Sequence, residues 1–219
     1  MKATTLQKAL VVALVVVCLP LQAEAQKKRK KKPQADVVDV VGLFQQGAYG
    51  EAAAAGDQQR EAGQANAEEL YVAGLAYQAL NNPESAAGAY AALIEARPDS
   101  EDWYWIGSSA RALVEGDIEG ALNASARAIE LNEGNKYAHY QRGLALSHRR
   151  AYQPAAEAFV RVLEIDGSFA YGHYYAALSF YQVRSLVAAT NHFERFLELA
   201  PDAPERIQVE GVLAALRGS

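Results

Sequence analysis

The four histidines are the residues of this 219-residue chain best suited to metal binding or acid–base chemistry. A neutral imidazole binds transition metals, and its pKa near 6.5 allows proton transfer near neutral pH. His139 and His173 hold equivalent places in a repeating pattern, which could bring them together; the other two are His148 and His192. None stands at a compact ligand spacing with a carboxylate, and no His-Glu-x-x-His sequence occurs. The spacing favours structural roles, and we expect no metal site and no cofactor.

Patterns for nucleophilic catalysis and phosphate binding find no better support. The glycines are scattered, with no glycine-rich loop between a strand and a helix. Ser108 and Ser109 fall inside a helical pattern rather than on the strand-to-helix turn that exposes a nucleophilic serine. Cys18 is the only cysteine, so the chain has no pair for an intramolecular disulfide. We therefore predict that the protein is not an enzyme.

The charges are distributed unevenly along the chain. Six consecutive Lys and Arg occupy positions 27–32, whereas from Pro33 onward 13 basic residues face 25 acidic ones, a net charge of −12. The basic run could attract nucleic acid, anionic lipid or an acidic polymer through charge alone. It has no interleaved aromatic residues on which bases could stack. We interpret 26–32 as a solvated, disordered tail and expect no nucleic-acid partner.

Residues 1–25 have the pattern of a secretory signal peptide. Lys2 and Lys8 accompany an apolar stretch at 9–21, and an Ala-Glu-Ala sequence ending at Ala25 supplies the small residues of a cleavage site. The 13 residues of that stretch are fewer than the ~20 of a membrane-spanning helix. The pattern predicts an exported, periplasmic or envelope-associated chain that starts at Gln26 and has no transmembrane segment. The basic run that follows opposes export, because positive charge favours the cytoplasmic side.

From residue 33 onward the chain repeats one helical pattern five times. The pattern recurs every 34 or 35 residues and predicts units at 33–66, 67–101, 102–135, 136–169 and 170–203. Each unit has an apolar stretch of period 3.6, a short turn, a second such stretch and a break. A unit of this size buries its apolar face only by stacking on its neighbours, so we expect a solenoid whose exposed surface carries the function.

The last segment, 204–219, predicts an amphipathic helix that covers the end of the stack. Pro204 opens it, and a proline is well tolerated at a helix start. The residues expected on its apolar face are Ile207, Val212, Leu213 and Leu216. Such a cap is required because the last unit of a solenoid otherwise exposes its apolar face to water.

Small and large residues recur at fixed places within the units. In the second unit they are Gly74, Tyr77, Ala86, Tyr90 and Pro98; in the fourth, Gly143, Leu146, Ala155 and Phe159; in the fifth, Ala177, Phe180, Ala189, Phe193 and Pro201. This pattern resembles the tetratricopeptide repeat family, whose units are helix–turn–helix hairpins. The resemblance implies an all-α fold, a right-handed α-solenoid of five repeats with a C-terminal capping helix. The first unit fits least well, since Val40 and Gly56 depart from the pattern.

In that family the first helix of each unit lines a concave groove, and the resemblance implies which residues of this chain do so. The implied groove residues are Tyr71, Gln78, Trp103, Tyr137, Tyr140, Gln141, Tyr171, Tyr174 and Tyr181. Tyrosine offers a large contact area with few rotatable bonds and a polar tip. None of these residues is Lys or Arg, so the carboxylate clamp of the best-known peptide-binding members is not supported. A segment rich in apolar and basic residues suits such a groove better.

These observations predict an exported protein-interaction module or assembly scaffold that binds a partner protein segment in an aromatic groove. The alternative is a binder or accessory factor for an envelope glycan or anionic polymer, or an enzyme acting on such a substrate. Aromatic rings do stack on sugars, but the implied groove residues lack the paired carboxylates of glycoside hydrolysis. Weak self-association through unpaired end units is a further possibility.

Overall fold

The computed structural model describes residues 38–217, which form eleven α-helices and no strand. In chain order these are α1 Val40–Gln45, α2 Tyr49–Glu61, α3 Ala67–Ala79, α4 Pro83–Ala96, α5 Asp102–Glu115, α6 Ile118–Leu131, α7 Lys136–His148, α8 Tyr152–Ile165, α9 Ala170–Gln182, α10 Leu186–Leu199 and α11 Arg206–Arg217. Each helix packs on the next one along the chain. The predicted all-α solenoid is therefore confirmed. The signal-peptide pattern, the basic run and positions 33–37 lie outside the described residues.

A residue in the left-handed conformation marks the turn inside each helix pair. The residues are Gly47, Asn81, Gly116, Arg150 and Arg184, with φ of 80, 55, 81, 59 and 61°. This conformation ends a helix sharply and suits glycine, which carries no Cβ. The intervals between the five positions are 34, 35, 34 and 34 residues. The first unit thus keeps the period of the others, although α1 has only six residues.

Polar side chains at the helix starts explain why several helices begin where they do. The Asn66 side chain accepts a hydrogen bond from the backbone N–H of Glu69, and the Glu69 carboxylate accepts one from the backbone N–H of Asn66. This reciprocal capping box satisfies two donors that would otherwise lack partners. Asn82 caps α4 in a similar way, and Pro83 takes the first helical position, where no N–H is needed.

The two helices of a unit cross at a small residue. In the fourth unit a Cβ added to Gly143 would lie 2.6 Å from a ring carbon of Phe159. In the third unit Ser109 takes the place of the glycine, and its hydroxyl donates a hydrogen bond to the Ala121 carbonyl at 2.8 Å. Small side chains at these crossings let the aromatic ring or the facing backbone fill the space between the helices.

The C-terminal helix α11 packs on α10, in the position expected of a cap. Val209 and Leu213 form its buried face. The expectation for Ile207 is wrong, because this side chain is 81 % exposed. Residues four apart share a helix face, so Val209, and not Ile207, is in register with Leu213. None of the helices between residues 38 and 217 is long and apolar enough to span a membrane.

Candidate partner-binding site

Aromatic residues from the first helices of different units pack against one another. The ring of Tyr71 in α3 lies 5.0 Å from that of Tyr137 in α7, and Trp103 in α5 lies 6.1 and 5.6 Å from the two. The tyrosines are 0 and 2 % exposed. The buried amide of Gln141 donates from Nε2 to the Tyr71 hydroxyl at 2.6 Å. The structure thus joins these four predicted groove residues into one cluster inside the core.

A second aromatic cluster lies at the end of the stack. Tyr171 and Tyr174 in α9 both contact Phe196 in α10, with ring centroids 5.6 and 5.1 Å away. Tyr140 reaches this cluster through Tyr175, 5.7 Å away. Tyr171 and Tyr140 are 3 and 2 % exposed, while Tyr174 is half-buried. Burial keeps most of these ring surfaces away from a partner in this conformation, so their predicted binding role stays a prediction.

Two predicted groove residues lie apart from the aromatic clusters. Gln78 is exposed at the end of α3, and its Oε1 accepts a hydrogen bond from the Tyr90 hydroxyl at 2.6 Å. Tyr181 is 43 % exposed at the end of α9. The nine predicted residues therefore do not form one continuous open surface.

The first unit contacts the segment that follows the fifth unit, so the solenoid closes on itself. The hydroxyls of Tyr49 in α2 and Tyr171 in α9 contact each other. Both also lie within hydrogen-bond distance of the Glu205 carboxylate, Tyr49 at 2.8 Å from Oε1 and Tyr171 at 3.2 Å from Oε2. The ring of Phe44 in α1 lies 5.0 Å from that of Tyr171. We call Tyr49, Tyr171 and Glu205 the closure contact.

Gly47 allows the two ends to approach at the backbone level. A Cβ at this position would lie 2.7 Å from Pro204 Cδ and 2.9 Å from Ala203 Cα. Its φ of +80° also belongs to the region that favours glycine. Gly47 therefore serves both the turn of the first unit and the closure.

Sequence reasoning missed Phe44, Tyr49 and Glu205 as members of the site. The only signal was that Gly47 and Tyr49 fit the repeat pattern in a unit that otherwise departs from it. Glu205 lies beyond the last repeat, where periodicity carries no information. Contacts between the first and last units depend on how far the stack has turned, which no single unit encodes.

A cavity of about 240 Å³ lies beside the closure contact. All five units contribute to its lining, which consists of Phe44, Tyr49, Leu75, Gln78, Ala79, Leu113, Tyr140, Leu144, Ser147, His148, Tyr171, Tyr175 and Glu205. We call it the aromatic chamber. Its lining residues include a single carboxylate, Glu205, and neither Lys nor Arg. Three of the predicted groove residues, Gln78, Tyr140 and Tyr171, are among them.

Burial keeps the tyrosine hydroxyls of the chamber protonated. Desolvation raises the pKa of Tyr175 to about 12 and that of Tyr140 well above its usual value. For Tyr49, burial raises the pKa first, and the hydrogen bonds to Tyr171 and Glu205 raise it further. A phenol with a raised pKa is a poor general base or nucleophile at neutral pH. These hydroxyls are suited to hydrogen bonding and to binding rather than to proton abstraction.

The histidines do not form a metal site. His173 pairs with His192 across α9 and α10, with the two Nδ1 atoms 2.9 Å apart, and not with His139. His139 is buried and its Nε2 lies 2.9 Å from the Glu133 carbonyl. Burial lowers the pKa of both His173 and His192. Across the described part of the chain, no three His, Cys, Asp or Glu side chains are grouped so that they could hold a metal ion.

The sequence matches no protein-family model and no curated protein. Among solved structures, the chain is similar to TTC0263, a thermophilic TPR protein of Thermus thermophilus, at 18% identity over 82% of this chain and 96% of that one, with a TM-score of 0.60. It is also similar to the first TPR of Spaghetti (RPAP3) bound to the HSP90 peptide SRMEEVD, at 14% identity over 56% and 97% of the chains, TM-score 0.50. A third is YrrB, a TPR protein with an unusual peptide-binding site, at 20% identity over 86% and 97%, TM-score 0.49. At these identities the similarity shows the fold alone: the chain has the fold of the tetratricopeptide repeat proteins.

Proposed function

We propose that this chain is a non-enzymatic protein-interaction module of the tetratricopeptide repeat type, which holds a segment of a partner protein in the aromatic chamber. The observation that supports it most is the chamber itself, to which all five units contribute. A concave, largely apolar cavity with a few converging polar groups is the usual form of a binding site. The solved structure of the RPAP3 domain holds an HSP90 peptide, so the fold is compatible with this function.

The chemistry of the chamber favours binding over catalysis. Its tyrosines are protonated, and its lining includes one carboxylate where glycoside hydrolysis requires two. The described residues 38–217 contain 24 acidic and 13 basic side chains, a net charge of −11. This charge opposes an anionic polymer as ligand and favours a basic or neutral segment. The enzyme and polymer-binding alternatives therefore have less support.

The closure contact restricts access to the chamber, so partner binding requires at least partial opening. A ligand that binds only the open form has an apparent affinity reduced by the fraction of molecules in that form. Variants that weaken the closure contact without damaging the core should therefore bind the partner more tightly or more rapidly. We also propose that the module acts outside the cytoplasm, on the basis of the signal-peptide pattern at 1–25.

Filling the chamber tests this function. Ala79 lines the chamber and is exposed at the end of α3, so A79F places a ring in the cavity without replacing a core residue. A54F is the matched control, because Ala54 is also exposed on a helix but does not line the chamber. Affinity capture from cell-envelope extract should recover the same partner with the wild type and A54F, and lose it with A79F. Equal recovery by both variants would place binding elsewhere.

A further inference from the structure

Glu205 is a half-buried carboxylate without a cationic partner among the described residues. Its two oxygens accept hydrogen bonds from Tyr49 and Tyr171. The partly buried Lys136 and Asp166, by contrast, form an ion pair with each other. A hydroxyl donor stabilises a carboxylate but does not neutralise it. The chamber therefore presents a negative charge that remains available to a ligand.

Aromatic rings surround this charge. Phe44, Tyr140 and Tyr175 line the chamber together with the two tyrosines of the closure contact. The face of an aromatic ring attracts a cation, most strongly where water is excluded. A carboxylate and several rings in one cavity form a combination that recognises a cationic group attached to an apolar stem.

The same combination holds a lysine elsewhere in this chain. Lys136 Nζ lies 2.7 Å from Asp166 Oδ2, 4.9 Å from the ring centroid of Tyr137 and 5.3 Å from that of Phe169. Lys136 is the only lysine among residues 38–217, so this site is already filled from within. The chamber repeats the arrangement with Glu205 in the place of Asp166, and no Lys or Arg lines it.

The geometry at Glu205 favours lysine over arginine. A guanidinium binds a carboxylate best through two parallel hydrogen bonds, one to each oxygen. Here each oxygen already accepts a tyrosine hydroxyl, which obstructs that planar pairing. An ammonium is a compact charge with three rotatable donors, and it can approach between the hydroxyls. The cavity of about 240 Å³ far exceeds the ~10–15 Å³ that one water molecule needs, which leaves room for the four-carbon stem.

From these observations we propose that the aromatic chamber is a subsite for a lysine side chain of the partner segment, with Glu205 contacting the ammonium and the rings of Phe44, Tyr140 and Tyr175 covering the stem. This inference rests on the proposed function, since it names the chemistry of the segment that the module holds.

The test uses the natively expressed protein and three short blocked peptides as probes: acetyl-Ala-Lys-Ala-amide and its arginine and norleucine counterparts. Binding is followed by the NMR shifts of the tyrosine ring protons. We expect saturable binding of the lysine peptide, at least tenfold tighter than that of the norleucine peptide and severalfold tighter than that of the arginine peptide. E205Q, which keeps the shape and removes the charge, should weaken lysine-peptide binding about tenfold. E210Q removes one charge on α11 that does not line the chamber, and it should bind as the wild type does.

Two further variants keep the outcome decisive. A79F leaves Glu205 in place and should abolish binding of the lysine peptide, which guards against a structural effect of E205Q. Equal binding of the lysine and norleucine peptides, or unchanged binding by both E205Q and A79F, would overturn the proposal. Lysine-peptide binding that appears only after deletion of 27–32 would assign the chamber to the chain's own lysines and would also overturn it.

The failure of the subsite and the failure of the proposed function give different results. A partner captured equally by the wild type, E205Q and A79F would refute the lysine subsite and leave an interaction module that binds through another surface. A lysine peptide bound as expected, in a protein that captures no partner segment, would retain the subsite chemistry and refute the proposed function.

Discussion

Tyr49 and Tyr171 are separated by 122 residues in the sequence, yet their hydroxyls meet beside the Glu205 carboxylate. A solenoid in which each unit contacts only its neighbours needs no such contact. Here the first unit and the segment after the fifth are held together, so the inner aromatic residues form a closed chamber and not an open groove. Opening of this contact controls what the chamber can bind.

Removal of the Tyr49 hydroxyl should weaken the closure. Y49F retains the ring against Phe44 and Tyr171 and removes the hydrogen bond to Glu205. The expected loss is about 1 kcal/mol of unfolding free energy, which corresponds to a melting temperature lower by about 2–4 °C. Y152F is the control, because no described residue is hydrogen-bonded to the Tyr152 hydroxyl. Thermal melts of both variants measure the difference, and equal melting temperatures would mean that the hydroxyl contributes nothing to closure.

A methyl group at Gly47 should disrupt the closure sterically. G47A places Cβ within 3 Å of Pro204 and of the Ala203 backbone, and it also adds the strain of an L-residue at positive φ. G63A is a matched control: Gly63 has φ +66°, but nothing lies within 4 Å of its added Cβ. Both variants should lose about 1 kcal/mol from strain. Only G47A should also speed amide hydrogen exchange in α1 and α2, measured by mass spectrometry. Equal exchange in the two variants would contradict the closure at this position.

The fold could be predicted from the sequence because its determinants are local. The period of 34 or 35 residues, the small residue at each helix crossing and the asparagine caps all act within one unit. The state of the predicted groove could not be predicted in this way. Tyr140 and Tyr171 have the same identity and helix position whether they face a partner or pack inside. What buries them is contact with the first unit and Glu205, which depends on small rotations added over five units.

Enlarging the residue at a helix crossing should destabilise the stack. G143L places a side chain where the Phe159 ring already lies, with the first added carbon 2.6 Å from a ring carbon. We expect a loss of about 1–3 kcal/mol. G88L is the control, because an added Cβ at Gly88 meets nothing within 4 Å and leucine favours helix over glycine. Urea unfolding should show a lower midpoint for G143L alone. A G143L variant as stable as G88L would mean that the crossing tolerates expansion.

Export should remove the N-terminal segment. The apolar stretch at 9–21 and the Ala-Glu-Ala sequence ending at Ala25 predict a mature chain that starts at Gln26. V15R places a charge in the apolar stretch and should leave the chain uncleaved in the cytoplasm, whereas V15L should be processed normally. N-terminal sequencing after cell fractionation measures this. A wild-type protein that keeps its first residues and fractionates with the cytoplasm would refute the export proposal.

The His173–His192 pair should make stability depend on pH. The two Nδ1 atoms lie 2.9 Å apart, so at least one ring must be unprotonated for a hydrogen bond to form. Burial lowers the pKa of both rings below the 6.5 of an unperturbed histidine. In the window from pH 6.5 down to the lowered folded-state pKa values, the unfolded chain binds more protons than the folded one. Stability is therefore full above pH 6.5 and falls as the pH drops through this window.

Urea unfolding at pH 7.5 and pH 5.5 tests this dependence. Carboxylates contribute to acid destabilisation as well, so the pair is isolated by comparison with variants. H192Q should reduce the loss of stability between the two pH values, because it removes one titrating ring and the repulsion between two protonated rings. H148Q alters an exposed histidine outside the pair and should leave the wild-type pH dependence intact. If H192Q and H148Q show the same pH dependence as the wild type, the pair does not contribute to the acid response, and the histidines serve only to fill space between α9 and α10.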